Sequence, residues 1–350
     1  MIPDEDAVEA MVLGGAFLGG GGGGSLEEGR RLGLAALNLG RPSIVPIDEL
    51  REESLLATVS TVGAPASREK FVHQEDYVRA VKILAERMSE PLSGLISSEN
   101  GALSTVNGLI QSAALDLPVV DAPCNGRAHP TGIMGSMGLG ELPGFISRQA
   151  AVGGNPETGR HLELYVEAPL ARADALVRQA AVESGGLVAV ARNPVSAGYV
   201  RTHGAPGAIC RALQLGRLMM SNRGAGGETV AKKLALTAGG EIVACGHVAG
   251  LELETRGGYD VGLLKVDDFE LTFWNEYMTL ERRGERLATF PDLIATLDAA
   301  DGTPRTSADL TAGTRVIVVR VPRKNLILGA GMRLPAGFRA VEEVLKKIIL

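Results

Sequence analysis

Cysteine is scarce in this chain, and that scarcity excludes one class of protein. The three cysteines, Cys124, Cys210 and Cys245, are far apart in sequence and form no CxxC pair. An odd, sparse count is typical of reduced thiols and not of a disulfide framework. The acidic segment Met1–Asp6 argues against a secretory signal peptide. The sequence therefore predicts a cytoplasmic protein.

Aromatic residues, clustered positive charge and long apolar runs are also lacking. Aromatic side chains make up 4% of the 350 residues, too few for a platform that stacks bases or sugars. The net charge is −6 and no Lys/Arg cluster occurs, so we expect no nucleic-acid partner. No apolar run is long enough to span a membrane, so we expect no membrane partner. These absences leave a small molecule as the expected ligand.

The residue pattern changes along the chain in a way that predicts two domains. Strand and helix patterns alternate up to Val120 and beyond, which indicates an α/β N-terminal domain, residues 1–168, with a mainly parallel sheet. Residues 169–350 open with a helical segment. From Glu241 onward, short alternating runs separated by turns predict a β-rich (α+β) C-terminal domain. The chain closes on an amphipathic helix, Phe338–Leu350, whose apolar end favours a homo-oligomer.

The 46 glycines include six in a row, Gly19–Gly24, which we call the glycine loop. A helix is predicted on each side, over Asp4–Leu18 and again after Ser25, where Ser at the N-cap and Glu28 at N3 form a capping box. Free N–H groups beside a helix N-terminus can hold an anion, so Gly21, Gly22 and Gly23 are candidate substrate-binding residues. A flexible hinge between two helices explains the run equally well.

Residues 97–141 concentrate the polar groups that chemistry requires. Residues 94–96 predict a strand that runs into Glu99 and Asn100, and an apolar helical face follows from Val106 to Leu117. Val119–Val120 predicts a second strand, ended by Asp121–His129. Parallel strands joined by one helix present their carboxyl ends at one edge of a sheet. We therefore expect Glu99, Asn100 and the 121–129 loop to face one crevice.

Four segments of the sequence resemble the S-methyl-thiohydantoin desulfurase-like family, and they lie in the order expected for it. They are Leu13–Gly19 with the glycine loop, Glu99–Gly101 with Asn107–Leu109, Leu117–Asp121 with Gly126–Pro130, and Phe273–Tyr277 with Phe290–Ile294. The resemblance implies an α/β part followed by a β-rich part, and a link to the catabolism of hydantoin-like rings. It implies a hydrolase that removes sulfur from C2 of a thiohydantoin, giving a hydantoin plus hydrogen sulfide or a thiol.

Loss of sulfur from a thioamide-like carbon needs an activated nucleophile and a proton relay, and Glu99, Asp121, Cys124 and His129 are the candidate catalytic group. In one mechanism Cys124 and His129 hold a divalent metal, with zinc the natural match for thiolate plus imidazole. Asp121 or Glu99 then completes the shell, and the other is the general base. In a second mechanism Cys124 attacks C2 itself. The simpler alternatives are a buried apolar Cys124 and a His129 that caps a turn.

Asn100, Asn107, Arg127 and the glycine loop form the candidate substrate-binding group, and the expected substrate is a thiohydantoin- or hydantoin-like ring with an acidic side arm. Arg127 either binds a substrate carboxylate or pairs with Asp121 or Glu99. Asn275–Glu276 is interpreted as a structural corner of the β domain and left out of the catalytic group. A rival hypothesis is a non-catalytic partner subunit of a hydantoinase/oxoprolinase-type complex, which predicts an exposed apolar patch on the C-terminal helix.

Overall fold

The computed structural model describes residues 1–64 and 66–349. The helices found there are α1 Glu5–Gly19, α2 Leu26–Leu39, α3 Gln74–Ala85, α4 Leu109–Leu115, α5 Leu170–Glu183, α6 Ala197–His203, α7 Ala208–Met220, α8 Gly227–Ala238 and α9 Pro335–Leu345. The strands are β1 Ile44–Val45, β2 Leu55–Gly63, β3 Gly94–Ser97, β4 Val119–Val120, β5 Ser147–Gly153, β6 Leu162–Ala168, β7 Leu187–Ser196, β8 Glu241–Arg256, β9 Tyr259–Val266, β10 Phe269–Trp274, β11 Glu276–Arg282, β12 Glu285–Thr289, β13 Leu293–Asp298, β14 Pro304–Arg305 and β15 Arg315–Val321. None of these helices combines the length and apolarity that a membrane span requires.

The first sheet has the strand order β1-β4-β3-β2-β7-β5-β6. The pairs β1–β4, β4–β3 and β3–β2 are parallel, and β7, β5 and β6 continue the sheet antiparallel. The predicted α/β fold is confirmed, as is the β3–α4–β4 crossover between parallel strands. The helix inside that crossover is shorter than the apolar spacing predicts, because turns occupy residues 101–108 and Gly108, at φ 113°, precedes the first helical residue.

The two helices around the glycine loop begin where their capping residues predict. Asp4 accepts a hydrogen bond from the Ala7 N–H at 2.8 Å at the start of α1, and Ser25 accepts one from the Glu28 N–H at 3.2 Å at the start of α2. Helix α1 then crosses α7 at very short range. A Cβ on Gly14 would lie 1.8 Å from the Ala212 carbonyl oxygen, so only glycine permits this crossing.

The second sheet is antiparallel throughout, in the order β12-β11-β10-β9-β8-β15-β13-β14, and confirms the β-rich prediction. Strand β8 pairs with β15 through its first half and with β9 through its second half. Strand β7 lies beyond residue 168 and yet belongs to the first sheet. The domain division between residues 168 and 169 stays a prediction.

The C-terminal helix packs its apolar face against the second sheet, so this face is not exposed to solvent. Phe338, Val341 and Ile349 are buried in a cluster that also contains Trp274. Helix α9 ends at Leu345, short of the predicted 338–350 span, and Leu350 lies outside the described residues. Ile348 is 77% exposed, whereas the other apolar side chains face the protein. The helix therefore offers little exposed apolar surface, and the homo-oligomer stays a prediction.

Candidate active site

A cavity that opens to solvent lies between the carboxyl end of the first sheet and the second sheet. Its walls come from distant parts of the chain: Gly23–Gly24, Ser98–Glu99, His129–Gly132, Arg192 and Asn275–Glu276. The cavity thus lies at the edge where the parallel strands end, as in other open α/β sheets. It is the candidate active site.

Glu99 follows β3 and is held in one orientation by three groups. Its Oε1 accepts from the Ser104 hydroxyl at 3.0 Å, and its Oε2 accepts from the His129 backbone N–H at 3.0 Å. The His129 Nε2 lies 3.3 Å from the same Oε2. The β3–α4–β4 crossover therefore brings Glu99 and His129 together, as the sequence predicts. A carboxylate fixed in this way is pre-oriented for acid–base chemistry.

His129 is buried beside that carboxylate as a neutral imidazole. Burial lowers its pKa, and the Arg192 charge acts in the same direction, while Glu99 opposes both. Its Nε2 lies near two acceptors, Glu99 Oε2 and the Ser98 carbonyl oxygen at 3.4 Å. Its Nδ1 is buried with no hydrogen-bond partner among the described residues. Through its backbone N–H, His129 thus helps to orient Glu99.

Glu276 supplies a second carboxyl to the cavity, from the turn between β10 and β11 that we call the β10–β11 corner (Asn275–Glu276). Asn275 makes this turn with a left-handed φ of 57°. Glu276 is 2% exposed, and its Oε2 has no hydrogen-bond partner in the described chain. Burial raises its pKa well above the ordinary value, the Glu99 charge adds to this, and Arg127 opposes it. Glu276 therefore favours the protonated form.

Sequence reasoning interpreted the β10–β11 corner as structural, and Glu276 was missed as a site residue. The corner does order the β domain, because the Asn275 Oδ1 accepts from the Asp260 N–H at 2.9 Å. The available signal was the polar pair Asn275–Glu276 inside the aromatic and apolar run from Phe273 to Met278. A buried acidic residue that interrupts a strand needs a reason, since carboxylates are seldom fully buried without a partner.

The glycine loop is packed on both sides and joins Glu99's loop to the β10–β11 corner. The Gly23 carbonyl oxygen accepts from the Leu103 N–H at 3.0 Å, and the Gly20 carbonyl oxygen accepts from the Tyr277 N–H at 2.8 Å. A Cβ on Gly22 would lie 2.1 Å from Glu276 Oε1. This packing disfavours the flexible hinge.

The three candidate binding glycines differ in position. Gly23 lines the cavity, Gly22 lies against Glu276, and Gly21 lies against the Tyr277 ring. Their predicted role as substrate-binding residues stays a prediction, and the packing gives Gly22 a further role in shaping the carboxyl pair.

Asp121 and Cys124 lie outside the lining of the cavity. The Asp121 carboxylate accepts from the Ile209 N–H at 2.7 Å and the Cys210 N–H at 3.2 Å, so it caps the start of α7. Cys124 is buried in an apolar cluster, and its Sγ lies 3.3 Å from the Thr58 hydroxyl. Burial raises the pKa of this thiol to about 11. The structure therefore does not bring these two residues together with Glu99 and His129 in the cavity.

The side chains of the predicted binding residues Asn100 and Asn107 are both hydrogen-bonded to other parts of the protein. The Asn100 Nδ2 donates to the Ala208 carbonyl oxygen at 2.7 Å, which ties the end of β3 to α7. The Asn107 Oδ1 accepts from the Gln111 Nε2 at 3.0 Å, which ties the turn before α4 to the first turn of that helix. Neither side chain lines the cavity.

Arg127 is buried and engaged by carbonyl oxygens, and the described residues show no ion pair between it and Asp121 or Glu99, while its predicted role in binding a substrate carboxylate stays a prediction. It donates to the Ala128 oxygen at 3.0 Å, the Pro291 oxygen at 3.2 Å and the Asp292 oxygen at 2.6 Å. Its guanidinium also stacks over the Phe290 ring at 4.5 Å. Its charge, however, lies close enough to Glu276 to oppose the rise of that residue's pKa. Arg127 thus links the segment at Ala128 to the segment Pro291–Asp292 behind the cavity wall.

The donor set does not fit zinc. Among residues 1–64 and 66–349, no group of three or more His, Cys, Asp or Glu side chains is placed to share one ion. The Cys124 thiol favours its protonated form, and the His129 Nε2 faces two oxygen acceptors. We therefore derive no step through a metal, and the zinc hypothesis stays a prediction.

Two arginines of the cavity, Arg178 and Arg192, were missed by sequence reasoning. Arg178 is anchored: it donates to the carbonyl oxygens of Gly63, Gly258 and Pro130 at 2.9 to 3.4 Å and stacks over the Tyr259 ring at 4.0 Å. Arg192 has far fewer contacts. The signal for Arg192 was a charged residue inside the apolar run that forms β7.

Comparisons with known proteins agree with this architecture. The family model described as S-Me-THD-like, N-terminal domain, matches residues 6–155, and the one described as S-Me-THD-like, C-terminal domain, matches residues 168–334. No curated protein matches the chain. The chain is similar to the crystal structure of a protein from Chromobacterium violaceum, at 21% identity and a TM-score of 0.74, over 99% of this chain and 96% of that one. The fold is therefore shared with that protein.

Proposed function

This chain belongs to the S-Me-THD-like family, and we propose that it is a hydrolase that removes sulfur from C2 of a thiohydantoin-type five-membered ring. One observation carries the proposal: Glu99 and Glu276 line the same cavity, and burial together with the Glu99 charge raises the pKa of Glu276. Two carboxyl groups whose environments differ in this way can divide the roles of base and acid.

Hydrolysis at C2 needs a base for water and an acid for the departing sulfur. Glu99, oriented by Ser104 and His129, accepts one proton from water as the oxygen adds to C2. The C2–S bond then breaks, and the sulfur leaves with the proton of Glu276. An S-alkylated ring yields a thiol, with the second water proton on the ring nitrogen. A thione ring yields hydrogen sulfide, whose sulfur takes one proton from Glu276 and the second water proton from the carbon-bound hydroxyl as C2=O forms. Proton exchange with solvent restores both carboxyls.

The activity test uses purified protein with 2-thiohydantoins and 2-methylthiohydantoins, and follows both the released sulfide or thiol and the hydantoin formed. We expect Glu99→Gln and Glu276→Gln each to lower kcat/KM about 10²- to 10⁴-fold, the usual range for a lost acid or base. The matched control is Glu254→Gln, an exposed carboxylate on β8, which is expected to leave kcat/KM unchanged.

Two outcomes contradict the proposal. One is the absence of sulfur release by the wild-type protein from every ring in the series. The other is full activity in both folded glutamine variants. The first outcome favours the rival hypothesis of a non-catalytic partner subunit of a hydantoinase/oxoprolinase-type complex, which a pull-down with such an enzyme would then examine.

A further inference from the structure

Arg192 is a buried cation on a central strand of the first sheet. Strand β7 lies between β2 and β5, and the Arg192 side chain is 5% exposed while lining the cavity. Removing a guanidinium from water is costly unless hydrogen bonds and an opposite charge replace the water. The contacts of Arg192 are therefore informative.

The Arg192 guanidinium has few partners in the protein. The nearest carboxylate is Asp174, whose Oδ1 lies 3.7 Å from the Arg192 Nη1, too far for a hydrogen bond. That oxygen already accepts from the Gln149 Nε2 at 2.7 Å. Within the described chain no hydrogen bond from Arg192 to the protein is found, and none of its nitrogens is both sealed from solvent and unpaired. Its donors are thus open to the cavity, in contrast to those of Arg178.

The strand is distorted at this residue. The pairing of β2 with β7 shifts register between Leu56 and Thr58, and Thr58 is paired with Arg192. The next residue, Asn193, has a left-handed φ of 50°, and its Oδ1 accepts from the Ser147 hydroxyl at 2.6 Å. Bulges of this kind re-aim side chains next to active sites. The distortion therefore fits a strand shaped to present Arg192.

We propose that Arg192 binds the carboxylate of an acidic side arm on the substrate ring. A guanidinium with open donors matches a carboxylate through two parallel hydrogen bonds. The cavity also contains Glu28, Glu99 and Glu276, with Lys70 already 3.1 Å from Glu28, so a monoanion is favoured over a phosphate dianion. The ring identity rests on the proposed function, whereas the charge preference rests on Arg192 alone.

The test is calorimetric titration with a product-like hydantoin that carries a carboxylate arm, beside its neutral amide of the same size. Binding needs no turnover. We expect the wild-type protein to bind the acid at least about tenfold tighter than the amide, as for a hydrogen bond to a charged group. Arg192→Met should abolish that preference, and Arg192→Lys should keep part of it. Arg256→Met, at an exposed arginine on β8, is the matched control and should change neither affinity.

The variant Asp174→Asn keeps the Arg192 guanidinium, so it tests the proposal even if the substitutions of Arg192 itself prevent folding. In Asp174→Asn the Oδ1 acceptor for Gln149 remains while the competing charge is removed, so we expect tighter binding of the acid. The proposal is overturned by equal wild-type affinity for acid and amide, by no binding of the acid, by equal losses for both ligands in Arg192→Met, or by tighter binding of inorganic phosphate. A carboxylate preference without sulfur release would retain this inference and contradict the proposed function.

Discussion

The 121–129 loop and the β10–β11 corner differ in how many of their polar residues line the cavity. The loop has many polar residues, and the corner has few. In the loop, the Asp121 carboxylate caps α7, the Cys124 side chain fills an apolar cluster, and the Arg127 guanidinium donates to carbonyl oxygens. The corner offers one acidic residue, Glu276, which lines the cavity and has one buried carboxyl oxygen without a partner in the described chain. Three side chains of the dense polar loop thus serve the backbone and the core, and only its His129 lines the cavity, whereas the corner contributes its one carboxyl to the cavity wall.

The difference lies in what each side chain contacts. Buried polar groups are almost always paired, so polar side chains in a long loop are first used by the backbone around them. A buried carboxyl without a partner destabilises the protein by its desolvation free energy, and a ligand or a proton that pairs with it removes this penalty. Residue type alone does not distinguish these cases, but the contacts do.

The largest effect is expected from Gly22→Ala. A Cβ there would lie 2.1 Å from Glu276 Oε1, so the carboxyl must move, and misplacement of a reacting group by about 1 Å costs about 10²-fold in rate. The measurement is kcat/KM for sulfur release. Gly19→Ala is the matched control, because its Cβ would meet Gly101 Cα at an ordinary 3.6 Å. Equal rates for the two variants would contradict the role assigned to Gly22.

Arg127→Lys should chiefly reduce stability. The change loses hydrogen bonds to three carbonyl oxygens and the stacking over Phe290, so we expect the free energy of unfolding in urea to fall by about 3 kcal/mol. The preference for a carboxylate-bearing hydantoin should persist, since Arg192 is intact. Loss of that preference at unchanged stability would instead support the substrate-binding role that the sequence predicts for Arg127.

Glu276→Gln should change how stability depends on pH. Because the native pKa of Glu276 is raised, its carboxyl is protonated in the native state but ionised in the unfolded state once the pH exceeds about 4.3. The wild-type protein therefore loses stability relative to the variant as pH rises, by up to about 1.4 kcal/mol per pH unit, until the native pKa is reached. Urea unfolding from pH 4.5 upward measures this, and parallel curves for both proteins would count against it.

The smallest effect is expected from Cys124→Ala. A buried thiol outside the cavity lining contributes packing, so we expect a loss of about 1 to 2 kcal/mol in unfolding free energy and little change in kcat/KM. Cys210→Ala, at an exposed position on α7, is the matched control. Elemental analysis of both proteins belongs with this experiment. Near-stoichiometric zinc that disappears in Cys124→Ala, or a large loss of rate in the folded variant, would support the catalytic role predicted from sequence.

Sequence reasoning succeeded where the determinants are local. The capping box at Ser25 and the β3–α4–β4 crossover depend on residues close to one another in the chain. Glu99 and His129 were found because one crossover joins their strands. Local pattern therefore gave both sheets and half of the candidate site.

The other half depends on contacts between distant segments. Glu276 meets the cavity only because the glycine loop joins the β10–β11 corner to Glu99's loop. Arg192 is distinctive only once the register of β2 against β7 and the 3.7 Å separation from Asp174 are known. Neither quantity is encoded in composition or periodicity, so no local pattern could supply it.

The β10–β11 corner also provides an optical reporter. Trp274, the single tryptophan of the chain, comes just before the corner and is buried. Its indole lies 4.7 Å from the Tyr259 ring, over which Arg178, a residue of the cavity wall, stacks at 4.0 Å. Intrinsic fluorescence excited in the indole band therefore originates from one known place beside Glu276. Ligand entry and displacement of the corner can each be followed by emission spectroscopy without an added label.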